Sequence, residues 1–147
     1  GFDHLLFVVA LVLLLRRPWP VAAAVTSFTV AHSITLVGTT LGLFGLPARP
    51  VEAVIALSIV FLAVEIAKAD PARPRLSERV PWLVAFGFGL LHGFGFAGAL
   101  REIGLPEGEV PLALAAFNIG VEAGQLAIVA LSFVAIAMIA RLPAAAP

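Results

Sequence analysis

Four stretches of this chain run for 17 residues or more with almost no charge, and each is cut off by proline, glycine or a basic residue. Val21–Phe44 gives way to Gly45-Leu46-Pro47, and Val51–Ala67 to Lys68 and the Pro- and Arg-bearing segment 70–81. Trp82–Leu100 stops at Arg101, and the stretch from about Pro111 to Ile139 stops before Arg141. A helix needs about 17–25 apolar residues to cross the hydrocarbon core of a bilayer. A fifth stretch, Phe2–Leu15, closes on Arg16-Arg17-Pro18-Trp19-Pro20 and is too short to span without a further turn before Gly1. The expected fold is therefore all-α: a polytopic transmembrane helix bundle forming a single domain over 1–147. Five spanning helices are expected at about 2–15, 21–44, 51–67, 82–100 and 111–139, the first of them truncated.

Composition excludes most other classes. Hydrophobic residues make up 61% of the chain and charged residues 12%, outside the range of soluble domains. With no cysteine, neither a disulfide framework nor a thiolate metal site is open to it. A net charge of zero argues against a nucleic-acid partner; the expected partners are lipid and a metal ion. Alternating crossings put Arg16, Arg17, Lys68, Arg73, Arg75, Arg79 and Arg141 on one side, and only Arg49 and Arg101 on the other. By the positive-inside rule the C-terminal end is cytoplasmic and the N-terminal end outside, as in a bacterial inner-membrane protein. The outer side also collects Glu52, Glu102, Glu107 and Glu109, an acidic mouth that would concentrate cations.

The polar residues inside the apolar stretches are the functional clue, because such groups are costly in hydrocarbon unless they meet one another, water or an ion. A helix rises about 1.5 Å per residue, so His4, 12 residues before Arg16, and His32, 12 after Pro20, each lie roughly 18 Å from the cytoplasmic side. His92, 10 residues after Trp82, lies roughly 15 Å in. Three helices thus place an imidazole near one depth, with Asp3 beside His4.

On the last helix Asn118, Glu122 and Gln125 share a face at i, i+4, i+7. Gly120 and Gly124 form a GxxxG next to it, and Gly89 and Gly93 form another around His92. Such pairs let helices approach closely, within one chain or in a homo-oligomer. Thr29 and Ser33 flank His32, either fixing its tautomer or bonding their own i−4 carbonyls. Glu65 lies three residues before Lys68, near the inner interface or at an inner exit.

Imidazole with carboxylate oxygen suits Zn, Ni, Co, Fe or Cu(II). Two or three histidines with Asp3 or Glu122 would make a site of four to six ligands. The same residues would also serve an intramembrane hydrolase holding a catalytic zinc, with Glu122 or Asp3 as general base. They would also serve a polar core that binds the helices together without any ion.

Five blocks narrow these readings: Gly1-Phe-Asp-His-Leu-Leu-Phe7, Phe28-Thr-Val-Ala-His-Ser-Ile-Thr-Leu36, Glu52-Ala-Val-Ile-Ala-Leu-Ser-Ile-Val60, Phe88-Gly-Leu-Leu-His-Gly-Phe-Gly-Phe-Ala97 and Phe117-Asn-Ile-Gly-Val-Glu-Ala-Gly-Gln125. Together they resemble the HupE/UreJ membrane proteins, hydrogenase and urease accessory proteins regarded as nickel permeases. The pattern is nearer a less characterised branch often found behind an extracytoplasmic domain. The resemblance implies a metal-handling role for Asp3 and His4, and sets His32 and His92 on the histidines of the family's blocks. The expected function is binding, with transport, of a divalent metal: nickel first, zinc or cobalt next. The expected metal residues are Asp3, His4, His32, His92 and Glu122, with Thr29, Ser33, Glu65, Asn118 and Gln125 along the pathway or around the ligands.

Overall fold

The computed structural model describes residues 2–70, 72–103 and 110–141. Among these the chain is helical: α1 Phe2–Leu15, α2 Pro18–Thr40, α3 Ala48–Ala67, α4 Leu76–Arg79, α5 Pro81–Ile103 and α6 Val110–Ile139. Three of them, α2, α3 and α6, are long and apolar enough on their own to cross a membrane, not the five expected. α1 falls short with 14 residues, and the described apolar part of α5, Pro81–Ala97, is also below that length.

The ends differ from the hydropathy boundaries for local reasons. α2 begins three residues early because Pro18 and Pro20 suit a first turn, whose N–H groups lack partners anyway. Arg17 before it is extended, as a residue preceding proline prefers. The α1–α2 connection is two residues long and sets Arg16 at φ 53°, a left-handed conformation that a non-glycine residue adopts at a cost of about 1 kcal/mol. α2 stops at Thr40 rather than Phe44, because Gly42 turns left-handed at φ 74°. The N–H groups of Gly42 and Leu43 then return to the carbonyls of Thr39 and Gly38, at 3.1 and 2.9 Å, closing the helix. Phe44 folds back over Gly38, where no Cβ would fit beneath the ring.

The short helix α4, inside the expected 68–81 loop, has too few apolar residues for a hydropathy pattern to reveal it. It is held by Glu65. That carboxylate, 6% exposed, pairs with Arg75 Nη1 at 3.2 Å and accepts the Ser77 N–H at 3.3 Å.

Packing centres on α1 and α2. α1 lies against α2, α3 and α6, and its Phe7, Val8 and Leu11 are fully buried. α2 meets α5 over the most extensive interface of the molecule. There Gly89 and Gly93 bring the two backbones together: a Cβ on either would overlap the carbonyl oxygen of Phe28 or of His32. Outward faces are apolar, with Leu57, Val60, Leu112, Ile119, Leu131 and Met138 all exposed. Large continuous apolar surfaces of this kind belong in contact with lipid.

Candidate functional site

The three imidazoles meet between α1, α2 and α5. The His4 ring centre lies 5.5 Å from that of His32 and 5.3 Å from that of His92. Chain order explains the layer around them. One turn deeper toward the 16–17 and 68–80 connections stand Phe7, Phe28 and Phe88; one turn the other way on α5 stands Phe96. Phe28 touches all three histidines, with ring centres 5.4, 6.0 and 5.0 Å from His4, His32 and His92. On the opposite side Phe96 and Phe117 stack at 4.2 Å, and both lie near His32, at 6.3 and 6.1 Å. The histidines are a polar layer between two aromatic ones.

Hydrogen bonds set the tautomers. His92 Nδ1 is 2.7 Å from the Phe88 carbonyl, which only accepts, so Nδ1 carries the proton. His32 Nδ1 is 3.1 Å from Asn118 Oδ1. The Asn118 amide cannot turn round, because its Nδ2 donates to the Leu114 carbonyl at 2.9 Å. His32 therefore also donates through Nδ1. In both neutral rings Nε2 is left as a lone pair. The Nε2 atoms of His4, His32 and His92 are all buried and have no hydrogen-bond partner. Each such orphan costs about 1–3 kcal/mol.

Two imidazoles on one four-coordinate ion, with nitrogens at about 2.1 Å from it, have ring centres about 5 Å apart. The ring spacing suits a shared ion. The nitrogens are not gathered on one point, however: among the described residues no three His, Asp or Glu side chains form a group that holds a metal ion.

The other expected residues divide. Asp3 is exposed at the start of α1, close enough to His92 for its charge to act on that ring. Asn118 orients His32. Ser33 donates to its own i−4 carbonyl, Thr29 O, at 2.7 Å. Glu122 accepts from Thr26 Oγ1 at 2.6 Å along a groove between α2 and α6, with Oε2 buried and unpartnered. Gln125, 3% exposed, lines a different groove, together with His4, Phe96, Phe117, Gly120 and Gly124. Thr29 lies between Gln125 and the Val25 carbonyl, 3.3 and 3.2 Å from each. Glu65 is engaged by Arg75 and Ser77 at the α3–α4 connection rather than grouped with the imidazoles. The side chains of Glu102, Glu107 and Glu109, expected at an acidic mouth, lie outside the described residues.

The sequence reasoning passed over Phe28, Phe96 and Phe117, which wall the site, and Thr26, the partner of Glu122. A signal was present for two of them: Phe28 and Phe96 each stand four residues from a histidine on their own helix, whereas Phe117 is merely next to Asn118.

Comparison with known proteins now bears on this arrangement. A family model described as HupE / UreJ protein matches residues 1–146. The chain belongs to the HupE/UreJ family. No curated protein and no solved structure matches it. Membership in the HupE/UreJ family and the apolar outward faces of its helices identify an integral membrane protein.

Proposed function

We propose that this HupE/UreJ protein binds a divalent transition-metal ion among His4, His32 and His92 and carries it across the bilayer, with nickel the first candidate and cobalt or zinc next. One observation carries the reading: three buried Nε2 atoms without partners, two of them lone pairs because the opposite nitrogen donates to a fixed acceptor. Metal-bound imidazoles are held this way, with the second nitrogen donating to a carbonyl or amide oxygen that fixes the ring. Asp3 adds negative charge beside the cluster. Among the described residues aromatic pairs stand on both sides of the histidines, so passage requires the Phe96–Phe117 pair and the Phe7–Phe28 pair to part in turn.

In this reading α1 and α5 lie within the bilayer as well, giving five helices at membrane depth. The N-terminal end faces out and the basic connections face the cytoplasm, in a bacterial inner membrane. Gly120 and Gly124 are offered to a second copy. The hydrolytic alternative is less favoured, since Glu122, one of its two candidate bases, lines the α2–α6 groove with Thr26 rather than the groove of His4.

The test is nickel binding by the purified protein together with uptake by cells expressing it. The double variant His32→Ala, His92→Ala is expected to abolish both. Unchanged uptake in that variant would overturn the proposal.

A further inference from the structure

Gln125 presents a proton problem whose solution adds a ligand. Thr29 Oγ1 has a single proton, yet it stands within bonding distance of two acceptors, the Val25 carbonyl and Gln125 Oε1. It donates to only one of them. Meanwhile Gln125 Nε2, with two N–H groups, is buried without any partner. In that arrangement two amide protons and one oxygen are poorly served at once.

Turning the amide by 180° about its last torsion exchanges oxygen and nitrogen and moves no other atom. Thr29 then donates to Val25 O and accepts an N–H from Gln125, and both short contacts become good hydrogen bonds. The amide oxygen takes the buried position that the orphaned nitrogen held. Asn118 has no such freedom, because the Leu114 carbonyl pins its nitrogen.

Gln125 lines a groove together with His4, whose own Nε2 is a second orphan. A carbonyl oxygen on Gln125 adds an acceptor to a groove that His4 also lines. We propose that Gln125 is an oxygen ligand of the transported cation, completing with the imidazoles a nitrogen-rich site of borderline hardness. This rests on the transport reading above. It assigns Gln125, rather than Glu122, as the donor that α6 contributes. A neutral oxygen suits a carrier, because it helps dehydrate the ion without adding the charge that would hold it.

The experiment uses the full chain in lipid nanodiscs, titrated with Ni(II) by calorimetry and with Co(II) by its visible absorption. Gln125→Leu removes the oxygen, whereas Gln125→Glu keeps one in place. The expected result is at least a tenfold loss of Ni(II) affinity and an altered Co(II) spectrum for Gln125→Leu, with Gln125→Glu within threefold of the wild type or tighter. Wild-type affinity and spectrum in Gln125→Leu would overturn the assignment. If that variant does not fold, a tenfold weaker Gln125→Glu would overturn it as well. His32→Ala measured alongside separates the two levels. When it loses binding and Gln125→Leu does not, the ligand assignment falls and the transport reading stands. When neither loses binding, both fall.

Discussion

Two pairs of glycines in this chain share a spacing and have opposite surroundings. Gly89 and Gly93 on α5 are pressed against α2, so that a Cβ at Gly93 would overlap the His32 carbonyl oxygen and Thr35 Oγ1 and come 3.0 Å from the Leu36 nitrogen. Among the described residues nothing lies within 4 Å of where a Cβ would stand on Gly120 or Gly124 of α6. The motif licenses close approach and does not state what approaches. On α5 the approach sets the register between His92 and His32, since the glycine next to His92 abuts the His32 backbone. On α6 the open strip lines the groove of His4 and Gln125. The first pair positions the site; the second is free for a partner.

The sharpest way to break the contrast is to fill both pairs. Gly93→Val is expected to force the α2 and α5 backbones apart, at about 3 kcal/mol or more, since overpacking against backbone has no side chain to yield. A large drop in the thermal midpoint in detergent, with loss of nickel binding, is the measurement. A fully stable Gly93→Val protein would mean that α2 and α5 are not joined as described.

Next in size is a change on the inward face of α6, where Asn118 serves His32. Asn118→Leu leaves His32 Nδ1 without its acceptor and frees the ring to change tautomer. Loss of an outer hydrogen bond of this kind weakens metal binding by about 10–100-fold. Calorimetric titration with Ni(II) checks it. The neighbouring Ile119, 70% exposed, is the control: Ile119→Leu should change nothing.

The α3–α4 connection offers a smaller effect away from the imidazoles. Glu65→Gln removes the charge that holds Arg75 while keeping the side-chain shape. Arg75 is a third exposed, so solvent compensates part of the loss, and about 1–2 kcal/mol of stability is expected to go. Hydrogen exchange should rise at the amides of 76–80. Nickel affinity should hold within about threefold, because the pair lies off the histidine cluster; a tenfold change would return Glu65 to the ion pathway.

What was legible in the sequence, and what was not, follows the same division between what a helix carries and what meets it. Counting residues from basic and proline markers put His4, His32 and His92 at one depth, because rise per residue is fixed by the backbone. The seam of Asn118, Glu122 and Gln125 was legible from spacing alone. Which of these faces His4 was not: residues three apart on a helix differ by about 60° in direction, and only the positions of α1 and α2 decide between Glu122 and Gln125. Helix ends were misjudged where apolar residues continue past a stop, as at Leu41 to Phe44, since Gly42 ends α2 through its φ rather than through hydropathy. Glu65 read as a carboxylate near the inner interface or at an inner exit, and its pairing was hidden because Arg75 lies ten residues away in a segment that looked like a plain loop.

The smallest effect is expected at the open pair, and it sharpens the comparison by its absence. At Gly120→Val and Gly124→Val the added Cβ meets none of the described residues, so their thermal midpoints should stay near that of the wild type, within the roughly 0.5 kcal/mol of an ordinary surface change. If the strip is where a second copy packs, the same substitutions should lower energy transfer between labelled copies in proteoliposomes while leaving the monomer folded. Wild-type transfer in both variants would assign the strip to lipid. A midpoint that falls as far as that of Gly93→Val would instead place another helix of the same chain against α6, and the distinction between the two glycine pairs would disappear.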